Sequence, residues 1–595
     1  MKRLIGVGVG PGDPELVTVK AVRVLREADV VLVPVLSIPD AGPSGPGRAE
    51  TIIRAYVASD QVKRLPFALN DTGGVTPRRA AAWQAAAAAV AEEFAAGAAT
   101  IAFGTLGDPN LYSTFSYLAQ TVRDLVPEVT VETVAGITAM QDLASRAGLS
   151  LAEGTEPVTL VPLNGALSAL DQALARGGTV VGYKVGAAAS PAPGILRDRL
   201  QAAGRLDDAI IGARLGLPGE LIAPAAALLP PAAAVLPPAE DPAATLTPAP
   251  PPPSPPPDIP DIPYLSTLIA PARRNGPGAS LAQEASARES SRHDVPSSRP
   301  WPAQCSAEPA RTAARAGETR AVGRVFFVGA GPGAPDLLTL RGAQAIAAAD
   351  VVIWASSLVH PDVLQHAKEH AEIVDSARLP MEGVLPYYER AARERLIVAR
   401  VHSGDPSLWG AVQEQLEQCA ALGLETEIVP GVSSFTAVAA RIGRELTVPE
   451  VAQSVILTRL GGGKTPMPPG ERVAEFARHG TTMALFLSAA RSGQLQDELL
   501  AGGYPPDTPC VVAFQVTWPD ELIEHCALKD LAATMKERKL WKHTLVLVGP
   551  GLAAAGSRSH LYHPGHFHGY RRADRQARKE LRATTAGRPA DRDGP

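Results

Sequence analysis

The chain reads as an α/β protein made of two tandem copies of one domain, and three observations predict this. A glycine-rich turn occurs twice, as Gly8-Val9-Gly10-Pro11-Gly12 and as Gly329-Ala330-Gly331-Pro332-Gly333. The residues that follow stay in step: Glu15-Leu16-Val17-Thr18 is answered by Asp336-Leu337-Leu338-Thr339, and Ala28-Asp29-Val30-Val31 by Ala349-Asp350-Val351-Val352. Gly8 and Gly329 lie 321 residues apart, as do Asp29 and Asp350, a period that fits whole domains rather than a solenoid of small stacked units. The valine and isoleucine runs lack polar alternation, the pattern of parallel strands covered on both faces. Finally, a Pro-, Ala-, Ser- and Arg-rich stretch separates the copies, as a linker between domains does.

In the first copy, Leu4 to Val9 is a strand entering the glycine turn, Pro14 to Ala28 has helical spacing, and Val30 to Val35 is a second buried strand. Residues 37–48 are a Pro/Gly/Ser loop, and the alanine-rich run from Pro77 to Ala96 is a helix. Thr100 to Phe103 is a strand leading into Gly107-Asp108-Pro109, and Val129 to Val134 leads into Gly136-Ile137-Thr138-Ala139 and a helix. The second copy repeats this order with Ile397 to Val401 before Gly404-Asp405-Pro406 and Glu427 to Val429 before Pro430-Gly431-Val432-Ser433-Ser434. From Gly8 to Asp108 is 100 residues and from Gly329 to Asp405 is 76, so copy one carries an insertion, mostly near 37–48. Later strands are predicted at Thr179 to Tyr183, Ala209 to Ile211, Ser454 to Leu457, Met483 to Leu487, Val511 to Phe514 and Thr544 to Val548.

These features divide the chain into a first domain at 1–270 with a Pro/Ala-rich insertion at 223–258, closed by a strand at 262–269. A disordered linker at 271–322, a second domain at 323–553 and a His/Arg-rich tail at 554–595 complete it. With 595 residues, 46% of them hydrophobic, the chain can bury two sizeable cores. A net charge of -5 gives no electrostatic reason to expect nucleic acid or an anionic membrane as partner, and a small molecule fits better. Four cysteines without a CxxC pair argue against a disulfide framework or a zinc site. With no signal-like start and no long apolar run, a cytoplasmic location is expected.

The glycine turn has a dinucleotide-fold alternative, but Asp29 and Asp350 precede their strands instead of ending them, and Pro11 and Pro332 remove a backbone donor. Gly107-Asp108-Pro109 and Gly404-Asp405-Pro406 place a carboxylate at the carboxyl edge of a parallel sheet, where small ligands bind, and the same Asp can equally cap a helix. Thr138 and Ser433 offer hydroxyls at helix starts and can likewise serve capping alone. Gly461-Gly462-Gly463-Lys464-Thr465 lacks the first glycine of a phosphate loop, so Arg459 and Lys464 are better read as cations for an acidic ligand. The tail histidines His560, His563, His566 and His568 read as solvated rather than metal-binding, and no metal is expected.

Taken in this order, the motifs strand-GxGPG, strand-GDP and strand-GIT or PGVSS resemble the tetrapyrrole (corrin and porphyrin) methylase family of S-adenosylmethionine-dependent enzymes. The second copy resembles its precorrin-4 C11-methyltransferases through Val401 to Pro406, Ile428 to Ser434, Val455 to Arg459, Ala484 to Ser488 and Thr517-Trp518-Pro519-Asp520-Glu521. The first resembles its precorrin-2 C20-methyltransferases through Val7 to Leu16, Thr105 to Thr114, Lys184-Val185-Gly186 and Pro263 to Ser266, with Ala135 where the family usually has Pro.

The resemblance implies two bilobal α/β domains, usually dimeric, each holding S-adenosylmethionine between its lobes beside a precorrin-type tetrapyrrole. Homo-oligomers and pairing of the two copies within the chain both satisfy that preference. Carried over by position, Pro11, Leu106, Gly107, Asp108, Leu111, Thr138, Ala139 and Lys184 would contact the cofactor in copy one. In copy two the set is Pro332, Ser403, Gly404, Asp405, Leu408, Ser433, Ser434 and Leu487, with Arg459 and Lys464 toward the substrate carboxylates. No residue is singled out for removing the ring proton. The expected activity is methylation at C20 of precorrin-2 and C11 of precorrin-4; alternatives are a first copy that only binds tetrapyrrole, or a protein or RNA target.

Overall fold

The computed structural model describes residues 1–35, 46–67, 77–163, 167–186, 192–229, 262–263, 265–273, 322–449, 451–462, 467–468 and 470–553. Copy one begins with β1 (Arg3–Gly8), β2 (Val30–Val35), β3 (Val62–Pro66), β4 (Thr100–Thr105) and β5 (Thr130–Val134), an all-parallel sheet ordered β3-β2-β4-β1-β5. It continues with β6 (Val158–Pro162), β7 (Thr179–Tyr183), β8 (Ile210–Ala213), β9 (Leu221–Pro224) and β10 (Thr267–Ala270). Copy two repeats the first sheet with β11 (Arg324–Gly329), β12 (Val351–Trp354), β13 (Glu372–Asp375), β14 (Ile397–His402) and β15 (Glu425–Val429), ordered β13-β12-β14-β11-β15. Its second half carries β16 (Val455–Arg459), β17 (Thr482–Phe486), β18 (Pro509–Phe514), β19 (Leu522–Ala527) and β20 (Thr544–Val548).

Each copy thus has two α/β lobes, and the two second lobes form one sheet. Its order, β19-β18-β20-β17-β16-β6-β7-β10-β8-β9, reads the same way outward from its centre, where β6 and β16 run antiparallel with Leu160 opposite Val455 and Val158 opposite Leu457. A single apolar core spans this seam, with Val158, Leu160 and Ile137 from copy one and Val455, Leu457, Val432 and Phe435 from copy two. A second contact joins the first lobes: Val19 N donates to Leu338 O and Leu340 N to Val17 O, each at 3.0 Å, so the equivalent segments around Thr18 and Thr339 pair with each other. The two copies thus pair within the chain.

The glycine turns, the later strands and the repeat lie where the sequence predicts, and the closing strand at 262–269 is β10, antiparallel to both β7 and β8. The strands β3, β6, β9, β13 and β19 have no counterpart in the sequence reading. The Pro/Ala-rich insertion also begins later than its composition suggests. Residues 223–229 still belong to the fold, because Ala225 N bonds Ala209 O at 2.7 Å and Ala225, Leu228 and Leu229 pack beneath β8. The remainder of the predicted insertion, most of the linker and the tail lie outside the described residues.

Candidate functional site

At the carboxyl ends of β1, β4 and β5 three glycines meet. A methyl group on Gly8 would sit 2.7 Å from Gly107 O and 2.8 Å from Gly136 Cα; one on Gly136 would sit 2.9 Å from Gly8 C and closer still to Gly107 O. Copy two repeats the arrangement with Gly329, Gly404 and Gly431, where a methyl group on Gly431 would lie 2.6 Å from Gly329 C. The three motifs are therefore three strand ends packed backbone against backbone. Gly10 and Gly107 bridge at left-handed φ of 74° and 70°, and Gly331 and Gly404 do the same at 78° and 67°, which is cheap only for glycine.

The two aspartates tie these ends together. Asp108 is buried, accepting Asn110 N at 2.8 Å and Gly136 N at 2.9 Å, so it fixes its own turn and joins it to the next strand end. Burial pushes its carboxyl up to about 7, opposed by those two amides. Asp405 accepts Ser407 N at 2.9 Å, Ser407 Oγ and Gly431 N at 3.1 Å. A further donor comes from the other copy: Gln141 Nε2 reaches Asp405 Oδ2 at 2.9 Å and Gly431 O at 2.7 Å. Burial raises the Asp405 carboxyl, opposed by these donors. Both carboxylates are engaged in holding loops, an Asx-type role that the capping alternative anticipated in part.

Thr138 and Ser433 are the N-caps of the helices Ala139–Arg146 and Ser434–Ile442, as their sequence positions predicted. Thr138 N and Oγ1 both donate to Gln141 Oε1 at 2.9 Å. Leu111 and Leu408 turn into the core shared by the copies, whereas Leu106, Ala139 and Ser434 are half-buried, Ser403 is exposed and Leu487 keeps 67% of its surface exposed. Pro11 is half-buried; Pro332 is buried, with its carbonyl accepting Trp518 Nε1 at 2.8 Å.

Three pairs of non-glycine residues at equivalent places have left-handed backbones: Tyr112 and Trp409 at φ 50° and 55°, Lys184 and Leu487 at 63° and 49°, Arg214 and Gln515 at 52° and 44°. Such strain gathers at functional sites, and no composition signal marks these positions. Aromatic contacts draw the two lobes together here. The rings of Tyr112 and Tyr183 lie 5.0 Å apart with Lys184 Nζ 5.4 Å from the Tyr112 ring, and those of Trp409 and Phe486 lie 4.7 Å apart beside Leu487. Tyr112 is also held by copy two, its N donating to Thr447 Oγ1 and its Oη to Gln453 O, both at 2.7 Å.

Loops from the second lobes close over the glycine turns. Gly12 meets the Leu215 carbonyl, and Gly333 meets Trp518, whose Nε1 would lie 2.7 Å from an added methyl group. Ala334 N donates to Thr517 Oγ1 at 2.8 Å. Arg459 donates to Gly154 O of copy one at 2.9 Å. A cavity of about 370 Å³ beside it is lined by Gly461, Gly462, Met467, Arg472, Arg491, Gln494 and Glu498, while Lys464 lies outside the described residues. Among the described residues, no group of three or more His, Cys, Asp or Glu is placed to hold a metal, and no helix is long and apolar enough to cross a membrane.

Comparison with known proteins gives a consistent picture. Residues 3–227 and 324–532 both match the tetrapyrrole (corrin/porphyrin) methylases. A cobalt-precorrin-4 C(11)-methyltransferase of Methanocaldococcus jannaschii is 41% identical over 254 residues, 42% of this chain and 98% of the relative. A precorrin-4 C(11)-methyltransferase of Mycobacterium tuberculosis is 43% identical over 239 residues, 40% of this chain and 95% of the relative. A solved cobalt precorrin-4 methyltransferase is 39% identical, covering 38% of this chain and 95% of its own, with a TM-score of 0.37.

Proposed function

Because the chain belongs to the tetrapyrrole methylase family, matched in both of its copies, we propose that it is a bifunctional C-methyltransferase of corrin-ring biosynthesis. In this reading the second copy methylates precorrin-4 at C11 and the first methylates precorrin-2 at C20. The C11 assignment is supported by the relatives, which act on precorrin-4 or its cobalt form, and by the motifs from Val401 to Glu521. The C20 assignment is supported by the Thr105 to Thr114 and Lys184 to Gly186 motifs. The observation that carries a two-headed reading is the rim itself: both copies keep the three packed glycines and the buried aspartate that joins them.

The family's methyl donor is S-adenosylmethionine, and the residues fit it. In copy two, the Trp409 indole N–H is buried without a partner among the described residues, and its ring packs on Phe486 beside the exposed Leu487. In copy one, the Tyr183 hydroxyl is likewise buried, beside Thr138 and Met140. A ligand with hydroxyl, amino and carboxylate groups and an apolar face suits both settings. When bound, the donor supplies a sulfonium methyl, already an activated electrophile, so the chain needs neither a metal nor a strong nucleophile. Its own contribution is placement: the glycine rim and the Trp518 and Leu215 loops hold the reacting groups in line and shield them from water. Placement of this kind is worth about 7 to 11 kcal/mol. In this reading Arg459, which also donates to Gly154 O, would pair with an acidic macrocycle through a charge-assisted bond.

The test uses the full chain with labelled S-adenosylmethionine and either precorrin-2 or precorrin-4, each metal-free and cobalt-loaded, read by mass spectrometry. One methyl on each substrate is expected. Methyl on precorrin-4 alone overturns the C20 assignment, and methyl on neither overturns the whole reading.

A further inference from the structure

Gln141 is 0% exposed and makes four hydrogen bonds: its oxygen accepts Thr138 N and Oγ1, and its amide donates to Asp405 Oδ2 and Gly431 O. Thr138 belongs to the rim of copy one, Asp405 and Gly431 to that of copy two. The equivalent helix position in copy two is Thr436, also 0% exposed, whose hydroxyl bonds Ser433 O in its own helix at 3.0 Å. Among the described residues, Asp108 accepts only from Asn110 and Gly136, both in copy one. The pseudo-twofold is thus broken at this side chain.

From this asymmetry we propose that Gln141 is a positioning residue of the second copy's donor site, supplied by the first copy. The inference rests on the donor sites proposed above. Asp405 pins the Gly404 turn to Gly431, and Gln141 clasps the far side of both, so the geometry of that rim depends on an amide donor across the seam. Without it, a buried carboxylate loses a charge-assisted partner, and the second copy binds the donor about tenfold more weakly, the first copy being affected only through Thr138.

The test is calorimetric titration of the full chain with S-adenosylhomocysteine at about pH 6 and about pH 8.5, comparing wild type, Gln141→Thr and Gln141→Glu. Gln141→Thr installs the residue that this helix position carries in copy two. Gln141→Glu keeps an oxygen toward Thr138 but sets two carboxyl groups face to face, which can share one proton at the lower pH and repel at the higher. Two sites are expected in the wild type. One of them weakens about tenfold in Gln141→Thr at both pH values; in Gln141→Glu it is close to wild type at about pH 6 and lost at about pH 8.5. A role confined to folding makes the loss of binding follow a loss of the folded state, so melting curves at both pH values that show the variant folded while its second site is lost exclude it. Two wild-type-like sites in both variants at both pH values overturn the role of Gln141 alone. A wild-type chain that binds no S-adenosylhomocysteine overturns the donor sites themselves, and this inference with them.

Discussion

Replacing Gly431 with alanine tests whether the glycine motifs exist for the backbone's own packing. The added methyl group would lie 2.6 Å from Gly329 C, where ordinary contact begins at 3.4 Å, so β15 must retreat from β11 by about 0.8 Å and by more against the Gly404 carbonyl. Overpacking of this kind costs about 1 to 3 kcal/mol. The same movement stretches the bond from Gly431 N to Asp405, already 3.1 Å, and leaving that buried pair unmatched costs about 1 to 3 kcal/mol more. Alanine recovers about 0.4 to 1 kcal/mol by restricting the unfolded chain, leaving a net loss of about 1 to 5.6 kcal/mol.

The control is Gly404→Ala. There φ is +67° but nothing lies within 4 Å of the added methyl group, so the cost is the left-handed strain alone, about 1 to 2 kcal/mol before the same recovery. Thermal unfolding of both variants, with S-adenosylhomocysteine affinity measured alongside, should show Gly431→Ala melting several degrees lower and binding more weakly. Gly136→Ala should repeat the result in copy one. If Gly404→Ala proves the more damaging, the glycines serve backbone conformation rather than close approach, and the packing argument fails.

Asp108→Asn should change how stability depends on pH. The carboxyl is raised from 3.8 to about 7, so the folded chain holds a proton that the unfolded chain releases. Its contribution is fully present below about pH 4 and lost as pH rises to about 7, by an amount bounded by about 4 kcal/mol; the stability gap between wild type and variant should narrow across that window, and a gap independent of pH refutes the shift. Trp518→Phe removes the bond to the Pro332 carbonyl, worth about 1 kcal/mol, and should raise the donor KM for methylation of precorrin-4 while leaving that for precorrin-2 unchanged. Residues 323–553 expressed alone expose β16, whose bare edge should pair with a second copy of itself; light scattering that shows a monomer would count against the seam as the dominant contact.

Much of this architecture was legible because the repeat was. Two glycine turns in fixed register place β1, β4, β5 and their counterparts, and the valine-rich runs admit few alternatives to a parallel sheet. The missed strands have particular causes. β3, Val62-Lys63-Arg64-Leu65-Pro66, and β13, Glu372-Ile373-Val374-Asp375, are the outer strands of their sheets, half polar and offering little apolar signal. β19, Leu522-Ile523-Glu524-His525-Cys526-Ala527, is an edge strand too. β6, Val158-Thr159-Leu160-Val161-Pro162, is wholly buried and as apolar as its neighbours, so no physical feature hides it, and the seam depends on it. The aspartates stand at the strand ends where their motifs put them, but their partners are not legible, since a carboxylate facing a ligand and one facing backbone amides have the same spelling. Gln141 was invisible for a related reason: a polar residue in the first turn of a helix looks like a cap, and only the neighbouring copy shows where its amide points.

The ten-stranded sheet also bears on how such a chain can change. In a symmetric dimer one surface must complement itself, so every substitution appears twice and must suit its own mirror image. Here the two faces of the junction are encoded separately, at Val158 to Leu160 and Val455 to Leu457. Glutamine on one side can therefore stand opposite a position where threonine suffices on the other. Joining two copies in one polypeptide releases each from self-complementarity, and that freedom is what allows one copy to reach across the seam with a side chain that the other does not return.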